Sequence, residues 1–112
     1  MKTPYIDDGF TRPFTLPEGK EWPEVKGTYR PLPGPLMSDF VGRSTRAENA
    51  GQVEEQYEAT LDALLASLKS WDLKARDGKL VAISKESFSL LRKRFIEALF
   101  VRVCASEVDE GN

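Results

Sequence analysis

The sequence contains no histidine, and this absence excludes more chemistry than any other feature of its composition. It removes the Ser-His and Cys-His pairs that activate nucleophiles, histidine general bases, and every zinc site that needs an imidazole ligand. Catalysis by carboxylate, lysine or tyrosine side chains stays open. Neither glycine-rich pattern of nucleotide-binding loops is present. We therefore expect a protein that is not an enzyme and that uses no cofactor and no metal.

Cysteine is almost absent as well, since the chain has only Cys104. An intrachain disulfide is therefore impossible, which fits a reducing, cytoplasmic setting. The N-terminus lacks the apolar segment of a secretory signal. No uncharged apolar run approaches the roughly 20 residues that cross a bilayer. We expect a cytoplasmic protein without membrane contact, in which Cys104 is a small buried hydrophobic side chain.

Neither sign of charge dominates, because 16 Lys and Arg residues face 18 Asp and Glu residues and the pI is about 5.2. Nucleic-acid-binding domains usually carry a larger basic excess than the cluster at 91–95 provides. Arg92 falls within an apolar stripe, where we prefer a snorkelling side chain to an ion pair with Glu54 or Glu58. The i, i+4 carboxylate pairs formed by Glu54, Glu58 and Asp62 lack the histidine of helical di-metal sites. They predict a solvated acidic face.

Proline is absent after residue 35, and all seven prolines precede that point. This shift divides the chain into a proline-rich extended arm at 1–34, a helical domain at 35–107 and a frayed acidic tail at 108–112. Two short alternations of apolar residues predict a two-stranded antiparallel ribbon in the arm, over 9–16 and 25–31. Pro13 requires its strand to be an edge or bulged.

The remainder predicts about three helices, so the fold class is α+β, mostly α. The first helix begins near 33–35 and breaks around 47–51. The second spans 49–69. Its apolar stripe is formed by Ala50, Val53, Tyr57, Leu61, Leu64, Leu65 and Leu68. The third spans 85–105, with Ser84 as its N-cap. Its buried stripe is formed by Phe88, Leu91, Phe95, Leu99 and Val103.

The connector between the second and third helices reads SWDLKARDGKLVAIS, from Ser70 to Ser84. Asp77 and Gly78 predict a tight reversal within it. Trp71 continues the apolar stripe of the second helix by one turn. We therefore expect Trp71 to be buried between the second and third helices and to have a structural role, like Gly78 and Ser84.

The third helix is apolar on a second side, which a surface helix in a small monomer does not need. Two explanations stay open: the ribbon covers this side, or another protein chain does. The candidate partner contacts are Leu90, Phe100 and Val101 on this helix and Phe10, Phe14 and Trp22 in the arm.

The connector resembles that of phage tail assembly chaperones, in which Trp-Asp-Leu precedes an acidic-Gly turn and an apolar-Ser/Thr helix start. The matching residues are Trp71, Asp72, Leu73, Asp77, Gly78, Ile83 and Ser84. The YRPL tract at 29–32 is also similar to the segment that precedes the helices of such proteins. The likeness covers about residues 29–100. A proline common in the family is replaced by Ala82 here, and the ribbon is not a feature that membership of the family requires.

This resemblance implies a non-enzymatic protein of phage or prophage tail assembly that works in the bacterial host cytoplasm. Its protein partner would be the tape-measure protein, held in solution during tail assembly, or the tail tube protein. Self-association stays open. Two alternatives are a structural or adaptor subunit of a phage tail or other complex and a small nucleic-acid-binding regulator. A holding protein needs exposed apolar surface, which the last helix and the arm are predicted to offer.

Overall fold

A computed structural model describes residues 9–105, in which a three-stranded antiparallel sheet packs against four helices. The elements in chain order are β1 (Arg12–Leu16), β2 (Val25–Tyr29), α1 (Gly34–Asn49), α2 (Val53–Ser67), β3 (Leu68–Trp71), α3 (Lys85–Ser89), α4 (Lys93–Phe100) and a π-helical turn (Val101–Ala105). The predicted mostly helical α+β class is confirmed, while β3 was not predicted. The predicted tail at 108–112 lies outside the described residues.

The predicted ribbon is present as β1 and β2, with Arg12 opposite Tyr29 and Leu16 opposite Val25. The strand order β1-β2-β3 makes β1 an edge strand. The missing N–H of Pro13 therefore interrupts no central ladder, as the sequence predicted. β3 pairs with the other side of β2 and turns a marginal ribbon into a sheet with a buried face.

The end of the second predicted helix is a strand instead, because α2 stops at Ser67 rather than near residue 69. The Ser67 hydroxyl donates to the carbonyl oxygen of Arg30 at 2.8 Å, and the Arg30 N–H donates to the carbonyl oxygen of Ser67 at 2.8 Å. These bonds bring β3 against β2 beside Gly27. An added Cβ on Gly27 would lie 2.0 Å from the Ser70 carbonyl oxygen. Only glycine permits this approach of the two backbones.

α1 and α2 form a helical hairpin that reverses at Gly51, which has φ +70°. The predicted break at 47–51 is confirmed and has the left-handed glycine of a helix C-terminus. The predicted stripe of α2 is buried at Leu61 and Leu64. The expectation for its first turn was wrong, since Val53 is 63% exposed and Ala50 precedes the helix as an exposed residue. This turn lies on an open surface beside the hairpin reversal.

The third predicted helix is interrupted, since α3 ends at Ser89 and α4 begins only at Lys93. Arg92 has extended backbone angles, with φ −63° and ψ 138°. The Ser89 hydroxyl donates to the carbonyl oxygen of Glu86 at 2.6 Å. Serine hydroxyls that bond to nearby backbone offer an alternative to the helical ladder, so the serine-rich stretch 84–89 favours a short helix.

The N-cap prediction for Ser84 is confirmed, because its hydroxyl accepts the N–H of Ser87 at 3.1 Å. The buried stripe also survives the interruption of the helix. Its members that are at most 3% exposed are Phe88, Phe95, Leu99 and Val103. The periodicity of the sequence therefore predicted which residues are buried, but it did not predict the interruption of the helix.

Trp71 lies in β3 and is 5% exposed, so its predicted burial is confirmed, although it does not lie at a helix end. Its ring centroid is 5.8 Å from that of Phe88 in α3 and 6.4 Å from that of Phe95 in α4. Its Nε1–H donates to the carbonyl oxygen of Val81 at 2.7 Å. Trp71 therefore joins the sheet to both of the last two helices.

The other residues of the connector also make folding contacts. The Asp72 carboxylate accepts the N–H of Lys26 at 2.8 Å and so extends the pairing of β2 with β3. The predicted reversal is confirmed, with Gly78 at φ +82° and the Asp77 carboxylate accepting the N–H of Lys79 at 2.9 Å. The connector residues on which the predicted family resemblance depends therefore make contacts within the fold.

The predicted arm and the predicted helical domain share one core. Phe14, Val25 and Tyr29 of the ribbon belong to the same buried cluster as the helical stripe. Arg102, beyond α4, donates from Nε to the carbonyl oxygen of Thr15 at 2.7 Å. The ribbon therefore packs on its own chain. None of the helices described between residues 9 and 105 has an apolar stretch of the length that a bilayer crossing requires.

Candidate partner-binding site

A groove with an apolar part and a more polar part, which we call the helical groove, lies where α1, α2 and α4 meet. Its first part has a volume of about 190 Å³ and is lined by Met37, Phe40, Val41, Ser44, Thr45, Ala59, Thr60, Ala63 and Phe100. Its second part has a volume of about 280 Å³ and is lined by Ser44, Val53, Gln56, Tyr57, Thr60, Lys93, Glu97 and Phe100. The two parts share Ser44, Thr60 and Phe100 and so form one continuous surface.

Helical periodicity explains why these side chains come together. The lining residues of α1 recur at 37, 40, 41 and 44, and those of α2 at 53, 56, 57 and 60. Spacings of three and four residues place side chains on one helix face. Met37, Phe40 and Tyr57 on these faces pack at the edge of the core and are only partly buried. Val41 is 55% exposed, so part of this surface remains uncovered.

Charged groups lie at the end of the groove that contains Tyr57. Partial burial raises the pKa of Tyr57, and the nearby carboxylates of Glu97 and Glu58 raise it further. The phenol is therefore neutral at physiological pH. The Lys93 ammonium lies 5.8 Å from the centre of the Tyr57 ring. This end of the groove thus presents an aromatic wall with a cation beside it.

A network of ion pairs joins α1, α2 and α3. Arg43 pairs with Glu55 and with Asp62, the latter at 2.5 Å, while Lys85 pairs with Glu58 and with Asp62, the latter at 3.3 Å. Partial burial alone would raise the pKa of Asp62, but the hydrogen bonds from Arg43 and Lys85 outweigh it and lower that pKa. Glu58 and Asp62 remain partly solvated, with side chains 42% and 30% exposed, but their ion pairs were not predicted.

Among the six predicted partner residues, only Phe100 lies in the helical groove, where it is half-buried. Val101 follows it in the chain and is 59% exposed. Leu90 is 88% exposed and lies in the interruption between α3 and α4. The structure therefore does not bring Leu90 and Phe100 to one helix face, because the helix that was to align them is broken.

The three arm residues have different surroundings. Phe14 is 7% exposed and packs edge-on against Tyr29, with ring centroids 6.2 Å apart. Its prediction as an exposed partner contact was wrong, because its position in β1 points into the core. Trp22 is half-buried, edge-on to Phe95 at 5.6 Å. Phe10 is half-buried beneath an arginine guanidinium, 5.7 Å from the ring centre.

Sequence reasoning missed the α1 side of the groove. No partner-binding role was predicted for the first helix. Its apolar residues nevertheless form a broad face, which consists of Leu36, Met37, Phe40 and Val41. The signal was the width of this face, which exceeds what packing on one neighbouring helix requires. The partner-binding role was instead assigned to the apolar second side of the last helix.

A second surface, which we call the basic patch, is lined by Lys20, Glu21, Trp22, Arg92, Lys93 and Arg94. Arg92 pairs with Glu21 at 3.2 Å, and its side chain is 66% exposed. It neither snorkels along the core nor pairs with Glu54 or Glu58, since the interruption before α4 turns it outward. Lys93 belongs to both the basic patch and the helical groove.

Cys104 is 2% exposed, and burial raises the pKa of its thiol to about 12 despite an opposing hydrogen bond with Ser67. It is therefore an inert thiol at neutral pH. Between residues 9 and 105, no group of three or more cysteine, aspartate or glutamate side chains is arranged to hold a metal ion.

No known protein family, curated protein or solved structure matches this chain. The residues of the helical groove are therefore the main indication of function in this chain.

Proposed function

We propose that this protein is a non-enzymatic interaction protein that holds an apolar segment of another protein in the helical groove, in the manner of a phage tail assembly chaperone. The observation that carries this proposal is the set of apolar side chains that the ribbon leaves uncovered. Val41 and Val53 are 55% and 63% exposed. Half-buried Phe40 lines the first part of the groove with Val41, and half-buried Phe100 lines both parts. Contiguous apolar surface bordered by polar groups is typical of protein-binding sites.

The connector supports the comparison with tail assembly chaperones at the level of the scaffold. Trp71, Asp72, Gly78 and Ser84 each make a contact that fixes the course of the chain from α2 to α3. A protein with the same connector would position its helical hairpin in the same way. In the proposed role, the hairpin presents the groove to a tape-measure protein in the bacterial cytoplasm.

The size of the groove favours weak, reversible binding, which suits a protein that must later release its partner. Burial of one large apolar side chain contributes about 1.5–3 kcal/mol. In a groove with room for two or three such side chains, the cost of association offsets most of this favourable free energy, so the net binding free energy is small. Tight holding would then come from several copies of this protein along one long partner.

The first test is to sequence the DNA on either side of the gene. A tail-tube gene upstream and a very long helix-coding gene downstream would support the proposal, and would supply the partner for a direct binding measurement. Neighbours unrelated to virus assembly would contradict the chaperone role. Mass spectrometry of purified tails separates the alternatives further, because a structural subunit remains in the finished particle and a chaperone does not.

The binding measurement should compare the parent with Phe100→Glu, which places a charge in the groove. We expect at least about a tenfold loss of affinity for the long product, or about 1.4 kcal/mol, with an unchanged far-UV circular dichroism spectrum. Leu80→Glu is the matched control, because Leu80 is 62% exposed and lies outside the groove.

Unfolding of Phe100→Glu would mean that this face is core, and the proposal would lose its main support. Val41→Glu tests the same groove at a residue that is 55% exposed, where a charge is compatible with folding. If Val41→Glu binds the long product as tightly as the parent does, the groove is not the binding site.

A further inference from the structure

The helical groove opens at one end onto the basic patch, and Lys93 lines both surfaces. Lys93, Glu97 and Phe100 recur at i, i+4 and i+7, so they follow one face of α4. The eight residues from Lys93 to Phe100 span about 10 Å along the helix axis. A segment lying along this face therefore passes from apolar surface to basic surface within about two helical turns.

The basic patch has an uncompensated positive charge. It contains four cations and one carboxylate, Glu21, which pairs with Arg92 at 3.2 Å. In the part of the chain that the structure describes, Lys20, Lys93 and Arg94 form no ion pair. Lys93 and Arg94 also occupy the first turn of α4, which has neither an acidic residue nor a side-chain cap. Cations at this end of a helix oppose its dipole, so a negative partner would be favoured there.

The acidic surface beside Val53 does not balance this charge. Three glutamates line it, but Glu55 pairs with Arg43 and Glu58 pairs with Lys85. Of these three glutamates, Glu54 alone forms no ion pair with the residues that the structure describes. Three cations without an ion pair at one end therefore outweigh the two carboxylates, Glu54 at the other end and Glu97 in the groove between them.

We propose that the occupant of the helical groove is an amphipathic helix of another protein whose apolar stripe ends in a cluster of aspartate or glutamate residues. The apolar stripe lies against Phe40, Val41 and Phe100, and the acidic cluster lies against Lys20, Lys93 and Arg94. This inference rests on the proposed function of the groove as a protein-binding site. It adds the chemistry of the bound segment and the end of the groove at which its acidic cluster lies.

Three synthetic stapled helices of about 16 residues, or about 24 Å, test the inference. All have leucine at i, i+3, i+4 and i+7, followed by three glutamates, three lysines or three glutamines. Each is made with the polar cluster at either end, because the direction of the bound chain is to be determined. Fluorescence anisotropy measures binding at about 20 mM and about 500 mM salt, since salt screens exposed charge pairs.

We expect the better glutamate peptide to bind about tenfold more tightly than the lysine peptide at low salt, and the difference to shrink to less than about threefold at high salt. The variant K20E/R94E should reverse this preference. The matched control is K74E/K79E, which reverses two exposed lysines of the connector that line neither surface.

Equal binding of the glutamate and lysine peptides would overturn the inference and leave the groove as a protein-binding site. The same conclusion follows if K74E/K79E changes the preference as much as K20E/R94E does. Binding of none of the three peptides would instead contradict the proposed function of the groove. A single-stranded oligonucleotide of about 12 nucleotides that displaces the glutamate peptide and binds more tightly would identify the patch as a nucleic-acid surface, which also overturns the inference.

Discussion

Replacement of Trp71 by alanine removes the side chain at which the sheet, the connector and the last two helices meet. The indole is 5% exposed, and its ring centroid lies 5.8 Å from Phe88 and 6.4 Å from Phe95. Its Nε1–H is also bonded to the carbonyl oxygen of Val81 at 2.7 Å. The substitution therefore deletes two aromatic contacts and one hydrogen bond, and it leaves a cavity between β3 and the helices.

The expected loss in the free energy of unfolding is about 3–5 kcal/mol, as for other large buried aromatics replaced by alanine. A domain of this size has a total stability of about 5–15 kcal/mol. At about 4 °C per kcal/mol, the melting temperature should fall by about 12–20 °C. Trp71→Phe keeps an aromatic ring but loses the indole hydrogen bond and some volume, so we expect a smaller loss of about 1–2 kcal/mol.

Thermal melting followed by far-UV circular dichroism, with urea unfolding at one temperature, measures both variants against the parent. Trp22→Phe is the control, because Trp22 is only half-buried and its replacement should cost less than that of Trp71. A Trp71→Ala variant that melts within a few degrees of the parent would refute the packing described for the connector. Equal losses for Trp71→Phe and Trp71→Ala would show that the hydrogen bond, and not the ring packing, dominates.

Two further predictions concern the sheet and the ion-pair network. Gly27→Ala should destabilise the fold by at least about 2 kcal/mol in urea unfolding, because the new Cβ would lie 2.0 Å from the Ser70 carbonyl oxygen. The control Gly34→Ala should unfold like the parent, because no atom lies within 4 Å of its new Cβ. A Gly27→Ala variant as stable as the parent would contradict the close pairing of β2 and β3. The lowered pKa of Asp62 stabilises the fold above that group's ordinary value of 3.8, and this contribution is lost as the pH falls through the folded value. Asp62→Asn should therefore lower the free energy of unfolding by about 1 kcal/mol at pH 7 and by almost nothing near pH 2. The control Asp39→Asn, at an exposed position, should change it little at either pH. A loss for Asp62→Asn that is the same at both pH values would show that charge is not the cause.

The elements that sequence reasoning predicted correctly are determined by local chemistry. Pro13 restricts β1 to an edge, Gly78 supplies the positive φ of a turn, and Ser84 caps α3 through its own hydroxyl. Each of these effects depends on residues within a few positions of one another. The buried stripe of the last helices was also predictable, since its period was preserved across the interruption.

The elements that were missed depend on residues far apart in the chain. Residues 68–71 form a strand because Gly27, more than 40 residues earlier, lets two backbones meet. Arg43 could not be assigned to Asp62 without knowing how α1 lies on α2. The helical groove requires the same knowledge, because its walls come from three helices and no single stretch of sequence contains it.

The residues that carry the family resemblance and the residues that line the helical groove are two different sets. Trp71 and the rest of the connector make contacts within the fold, whereas Val41 and Phe100 lie in the groove and contribute nothing to the resemblance. In the proposed role, the resemblance therefore concerns the scaffold, and the groove would determine which segment is held. Loss of binding in Trp71→Ala would report unfolding rather than a lost contact. Only substitutions in the groove or the basic patch that leave the fold intact can test what this protein binds.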